Sequence, residues 1–332
     1  MRYHNLLALP FLFAGLQAQQ TTVVPSRYAT TEANSYTAYP FGLGTQHKVQ
    51  YLYDKRLVGV AGLAVQKIAL RGQGGLAAAA KTGVDLEIAM SSTSTSPWSA
   101  SGTFASNVGA DYKIVFTRKL VNLPAQPSTP TPAPFVTQFP LDQPFPYATA
   151  LGNLLIEYTT YAIPAGSYSH DTSFTQAAVN VVTGTACGLA MATTGGAATT
   201  ATSTLNYNLT TGPASGTGVL LLGTQLLPAP IPLPFSQGCL VHQDVLLLMQ
   251  KPLSATGTAT FNIPLHYENF GLTLQAQAVA ADASLTALVA SPSIRTTIGG
   301  YDPHTRIYNL TNATSPTGSV QIGVGIVTEL TY

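Results

Sequence analysis

The chain has 332 residues, with 14 Lys+Arg against 13 Asp+Glu, a formal charge of +1 and only 8% of residues charged. A nucleic-acid-binding face needs clustered cations to neutralise phosphates, and the cations here are scattered, so the composition argues against one. With 45% hydrophobic residues and almost no net charge, the chain also lacks the signature of intrinsic disorder, and its surface must be built largely from Thr, Ser, Gln, Asn and Gly.

Arg2 and His4 make a short basic start, and Leu6 to Leu16 is an apolar run of the length of a signal-peptide core, too short to span a bilayer. The reading is a cleaved signal peptide over 1–18, with the cut after Ala18. The competing reading is a buried N-terminal helix of a cytosolic protein; the Thr/Gln-rich, strand-like segment that follows favours export. No later apolar run is long enough for a membrane span, and no lipid-attachment Cys follows the expected cut. The mature chain is therefore expected to be secreted, extracellular or at the cell surface, with no transmembrane segment.

Strand signals then recur at short intervals. Val49, Tyr51 and Tyr53 alternate with polar or smaller neighbours, and Val65, Ile68 and Leu70 belong to a less regular stretch. Val84, Leu86, Ile88 and Met90 alternate with Asp85, Glu87 and Ala89, which puts four apolar side chains on one face of a strand and both carboxylates on the other. Tyr112 to Leu120 and Leu154 to Tyr161 add β-branched and aromatic runs. Between them, over 123–146, prolines crowd from Pro124 to Pro146, and proline's missing N–H excludes a central strand. This stretch is read as a long surface loop inside a first domain spanning 19–173.

The preferred boundary lies between Ser173 and Thr185, opening a second domain over 174–332. Strand candidates there are Leu205 to Leu209, Val219 to Leu222, Val245 to Met249, Ala259 to Leu265, Leu272 to Val279, Ile294 to Ile298 and Val320 to Leu330, with Gly and Pro between them, as in a β-sandwich. Ala190 to Thr204 reads as an exposed, low-complexity loop. Ala276 to Val289 is Ala-rich enough for a helix, but the alternation around Leu272 and Leu274 assigns its start to a strand. The fold expected is all-β: two β-sandwich domains, jelly-roll or immunoglobulin-like.

Two cysteines, Cys187 and Cys239, fit one disulfide in an oxidising compartment. Two buried free thiols or a metal pair are the alternatives, and isolated Cys without a C-x-x-C spacing make a poor zinc site. Gly-x-Ser-x-Gly, a phosphate-binding Gly-rich loop and His-Glu-x-x-His are absent. His170 with Asp171, His242 with Asp244, and Asp302 with His304 are the pairs from which a hydrolytic or metal site would be drawn, and each also reads as a loop His beside a turn Asp. Asp85 and Glu87 share one strand face, as any exposed alternating strand allows. No catalytic, cofactor or metal residue is assigned. Trp98, in a polar loop after a strand, is either a stacking platform for sugar rings or a plug over the core. Asn208, Asn309 and Asn312 each begin an Asn-x-Thr sequon, relevant only where a host glycosylates such sites.

Most of the chain resembles secreted two-domain β-sandwich proteins of planctomycetes and related bacteria. The resemblance rests on Val49-Gln50-Tyr51-Leu52-Tyr53-Asp54, Ile88-Ala89-Met90-Ser91-Ser92-Thr93-Ser94, Phe104-Ala105-Ser106-Asn107-Val108-Gly109-Ala110-Asp111 and Gly152-Asn153-Leu154-Leu155-Ile156-Glu157 in the first half. In the second it rests on Cys187-Gly188, Val219-Leu220-Leu221-Leu222-Gly223, Gly238-Cys239-Leu240, Ala259-Thr260-Phe261-Asn262-Ile263-Pro264 and the Ile298-Gly299 ending. These are turn-and-strand signatures. They imply a secreted all-β protein whose two Cys pair, and they bring no catalytic residues; Tyr301 to Tyr332 extends beyond the usual end with at least one more strand. The function expected is a non-enzymatic structural or adhesive protein of the cell surface or matrix, self-assembling through a free strand such as Val320 to Leu330. Its partners would be copies of itself or other surface proteins. The alternative is a carbohydrate-binding module that takes a polysaccharide at Trp98, and a hydrolase using a His/Asp pair ranks last.

Overall fold

A computed structural model describes residues 19–199, 203–236, 238–286 and 288–332; the signal peptide expected over 1–18 lies outside them. The chain is all-β, and among the described residues the helical segments are 3-10 turns of three residues each. Among the described residues no helix is long and apolar enough to cross a membrane.

Among the described residues two large hydrophobic cores divide the molecule, with a small third cluster of Val23, Tyr28, Ala33 and Val327. The first lies between a four-stranded sheet, in the order Thr21–Val24, Thr328–Thr331, Gly62–Leu70, Thr137–Ala148, and a six-stranded sheet. The latter, the large N-terminal sheet, runs Ser319–Ile322, His304–Asn309, His47–Tyr53, Asn153–Ala162, Lys81–Thr93, Lys113–Leu123. Period-2 alternation sends Val49, Tyr51 and Tyr53 inward, where they meet Leu86, Ile88, Ile156 and Tyr158 in a fully buried layer. Gln50, Glu157 and Ala89, paired across adjacent strands, therefore fall on the opposite, outward face.

The second core is closed by a three-stranded sheet, Ala190–Gly195, Ser203–Thr210, Ala259–Leu265, and a larger sheet in the order Val179–Thr183, Ser293–Thr297, Thr273–Ala281, Thr217–Gly223, Leu247–Pro252. Leu205, Tyr207 and Leu209 point inward while Asn206 and Asn208 face out. Ala276, Ala278 and Ala280 fill the facing positions. These alanines favour a helix by propensity, but opposite Tyr207 and Phe261 a small inward residue is what close packing requires, so tertiary context decides.

Three expectations are corrected. First, half of the expected loop over 123–146 is strand: Thr137–Ala148 pairs with Gly62–Leu70 at the end of its sheet. Phe139, Phe145 and Tyr147 point into the core and Pro140, Pro144 and Pro146 point out, which an edge strand permits because the missing N–H groups have no ladder partner to lose. Second, Ala190–Gly195 and Ala197–Ala198 are strands, where an exposed loop was expected. The Thr/Ala/Gly stretch is ordered by pairing with Ser203–Thr210 and with Gly299–Gly300.

Third, the second sandwich stops near Gly300. From His304 onward the chain returns to the first, pairing with His47–Tyr53 and inserting Thr328–Thr331 between Thr21–Val24 and Gly62–Leu70. Leu330 and Ile326 are wholly buried in the first core. Val320 to Leu330 is thus three short strands built into these sheets, and Thr328–Thr331 has no free edge for a partner.

Candidate functional site

Cys187 and Cys239 form a disulfide with Cα atoms 5.6 Å apart and a sequence separation of 52. Cys187 exchanges backbone hydrogen bonds with Ala290, so the bridge fastens the Leu226–Pro232/Leu240–Gln243 hairpin to the outer face of the large C-terminal sheet. Gln243 holds the other end: its buried amide donates to the Leu221 carbonyl at 2.7 Å and the Gln275 carbonyl at 3.0 Å, and its Oε1 accepts from Ser293 at 2.7 Å.

Between these two anchors the hairpin stands off the sheet. Leu227, Ile231 and Val241 on one side and Val219, Leu221 and Leu248 on the other line an apolar groove of 550 Å³. The groove runs out to the Leu247–Pro252 edge, where Leu246, Leu247 and Leu248 are 70%, 54% and 60% exposed. At the opposite edge of the same sheet, Val179 and Val182 are each 60% exposed and Val181 41%. Natural sheets usually blunt their edges with charge, proline or a covering loop. Here both terminal strands end the hydrogen-bonded order with Val and Leu in place of those devices, and only Lys251 and Pro252 close the second.

Trp98 follows a strand, as expected, in a turn opened by Ser96, whose Oγ accepts from the Trp98 N–H. Its ring stacks on Tyr267 of the second sandwich, so one face of the expected platform is covered by protein. The two rings line a cleft of 190 Å³ with Arg56, Glu268 and Pro303.

The His/Asp pairs are separated by their environments. His170 is wholly buried against Phe41 and Tyr168 with no hydrogen-bond partner on either ring nitrogen, and burial pushes its pKa down to about 3. Asp171 points the other way, into a buried ion pair with Arg71 at 2.5 Å, and accepts from the Ala33 N–H. Asp302 bonds Arg27 and the Ser173 hydroxyl, while His304, whose pKa burial also lowers, packs edge-on to Tyr53. Asp244 caps the Thr224 and Gln225 N–H groups. Among the described residues no three His, Cys, Asp or Glu side chains are arranged to hold a metal ion.

Asp85 is taken up by a two-pronged contact with Arg118. Its strand neighbour Glu87 stays unclaimed by any cation contact within salt-bridge range, and burial, reinforced by the charge of Glu157, raises its carboxyl pKa. Glu157 was not a sequence candidate. It is 4% exposed on the outward face of the large N-terminal sheet, accepting from Gln50 Nε2 at 2.7 Å and Tyr112 OH at 2.9 Å, with Lys48 Nζ at 3.6 Å. A cavity of 290 Å³ opens above it, roofed by the loops around Phe104 and Ser315. The available signal was Glu157 in an otherwise apolar run, Leu154 to Tyr158.

Of the sequons, Asn208 and Asn309 use their amides within the fold, donating to Thr194 Oγ1 and the Thr317 carbonyl, and Asn312 is exposed in a turn.

No family model and no curated protein sequence matches the chain. Among solved structures it has a faint likeness to a β-glucuronidase of Bacteroides uniformis, 11% identical over 80% of this chain and 25% of that one, with a TM-score of 0.16. A putative β-galactosidase from Bacteroides fragilis is similar at 12% identity, over 82% of this chain and 32% of that one, TM-score 0.16. The chain therefore spans about a quarter to a third of those proteins, and likenesses this weak carry no argument about it.

Proposed function

We propose that this is a secreted, non-enzymatic structural or adhesive protein of the cell surface or extracellular matrix whose copies join edge to edge through the second sandwich. The observation that carries the reading is the pair of open apolar edges, Val179–Thr183 and Leu247–Pro252, at the two ends of one sheet. An edge strand presents a row of unpaired N–H and C=O groups, and a second copy satisfies them while covering the exposed Val and Leu side chains. The near-neutral chain adds little electrostatic repulsion between copies. The disulfide and the apolar N-terminal run support export. The self-joining surface is thereby moved from the C-terminal strand expected from sequence to the edges of the second sandwich.

Light scattering after size exclusion, with negative-stain imaging, tests this on the chain from Gln19 onward. Ordered polymers or a defined oligomer are expected. A strict monomer at high concentration would overturn the reading.

A further inference from the structure

We infer that the cavity over Glu157 is a binding site for a single neutral sugar ring. Its two walls differ in chemistry. On one side Phe104, Val108 and Pro316 present carbon; on the floor stand Glu157, Lys48 and Tyr112, a carboxylate, an ammonium and a hydroxyl. A pyranose has the matching halves, an apolar face of C–H groups and a rim of hydroxyls that both donate and accept.

The charges define the ligand further. Among the lining residues Lys48 is the lone cation and Glu157 the lone anion, and their ends lie 3.6 Å apart, so they cancel; the neighbouring carboxyl of Glu87, outside the lining, has its pKa raised by burial and by the charge of Glu157. A net ionic ligand would upset that balance in a site where Glu157 is nearly sealed from water. A neutral polyol does not: its hydroxyls donate to the carboxylate and accept from Lys48, each a charge-assisted bond. Glu157 is held for the task, because Gln50 donates to its Oε2 and Tyr112 to its Oε1. Gln50 is itself fixed by Asn107, whose Nδ2 donates to its Oε1 at 3.1 Å. At 290 Å³ the cavity takes one ring, so a longer glycan would enter by its end or a branch. The site lies on the first sandwich, away from the edges proposed to join copies, and the inference does not depend on assembly.

Saturation-transfer NMR and calorimetry of the chain from Gln19 onward, against the methyl glycosides of glucose, galactose, mannose and xylose, test it. Glucuronate and glucosamine serve as charged counterparts. At least one neutral glycoside is expected to bind in the millimolar range or tighter, at least tenfold better than its charged counterpart. Val108→Trp, which fills the apolar wall without touching the Glu157 hydrogen bonds, is expected to weaken binding at least tenfold with an unchanged melting temperature. Ala105→Trp, at an exposed lining position, does the same from the rim and serves if the first variant folds poorly. Absence of binding by every neutral glycoside, a preference for a charged sugar, or undiminished binding by a well-folded Trp variant would each overturn the inference.

Discussion

Trp98 and Tyr267 lie face to face, ring centroids 4.7 Å apart and planes 11° from parallel, although one belongs to the first sandwich and the other to the second. The stack therefore fastens the two bodies, alongside Arg27, Ser173 and Asp302, whose side chains meet where the chain crosses between them. Trp98→Ala is expected to cost about 1–3 kcal/mol, the loss of a half-buried aromatic and its stacking partner. It should also speed proteolysis near Ser173 to Val179. Urea unfolding and limited proteolysis measure both. Lost glycan binding with unchanged stability would instead make Trp98 a ligand platform.

His170 supplies a pH prediction. Its folded-state pKa, pushed down to about 3 by burial, lies below the roughly 6.5 of an unfolded histidine. Between those values the unfolded chain holds the proton and the folded chain does not, so stability is present above about pH 6.5 and lost as the pH falls toward 3. His304 and His47 shift in the same direction through burial. Since neither ring nitrogen of His170 is bonded and Phe41 and Tyr168 surround it, His170→Phe is expected to fold normally at pH 7. It should flatten the acid limb by up to about 1.4 kcal/mol per pH unit. Melting curves from pH 4 to 8 for both proteins decide it; parallel acid limbs would show that His170 is not the group responsible.

Arg71 and Asp171 form a buried ion pair whose remaining donors are also satisfied, Arg71 Nη1 by the Tyr28 carbonyl at 2.9 Å. Removing one partner strands the other charge away from water, so Arg71→Leu is expected to destabilise by about 3–5 kcal/mol. Arg71→Leu with Asp171→Leu should recover a good part of that loss, because the desolvation cost of both charges disappears with them. Equilibrium unfolding of the two single variants and the double variant forms the cycle, and additive losses would contradict it.

Much of the sandwich architecture is legible in period-2 runs such as Val84 to Met90, because a half-buried strand writes its burial pattern directly into alternate residues. What escapes the sequence is long-range pairing. Nothing local in Thr328 to Thr331 says that it closes the first sheet beside Gly62–Leu70, far back along the chain, and the choice follows from which core still has an open flank for Leu330. The prolines at 140, 144 and 146 mask a strand whose signal lies in Phe139, Phe145 and Tyr147 between them. The Glu157 site is illegible for a similar reason: Lys48 and Gln50 share one strand, but Glu157 and Tyr112 come from two other segments, and only the register of His47–Tyr53 on Asn153–Ala162 and the turn ahead of Lys113–Leu123 bring them together. The Cys pairing is the exception, since two cysteines allow one intramolecular bridge.

The strand directions make the final prediction specific. Within the large C-terminal sheet successive strands are antiparallel, and Leu246, Leu248, Val179 and Val181 all lie on its outward face. A two-fold axis perpendicular to the sheet pairs Leu247–Pro252 with its own counterpart in antiparallel register and keeps that apolar face on the same side in both copies. The same operation at Val179–Thr183 joins the next copy, and alternating two-folds generate an open chain. Leu246→Lys with Leu248→Lys, a charged edge of the kind that blocks pairing, should therefore stop growth at dimers held through Val179–Thr183. Val179→Lys with Val181→Lys should stop it at dimers held through the other edge, and the four changes together should give monomers. A head-to-tail joint of one edge on the other predicts something different: each single-edge variant would be monomeric alone, and a dimer would form only on mixing the two. Light scattering of the variants, separately and mixed, discriminates the two geometries, and unaltered polymers in the fourfold variant would exclude both edges as the joint.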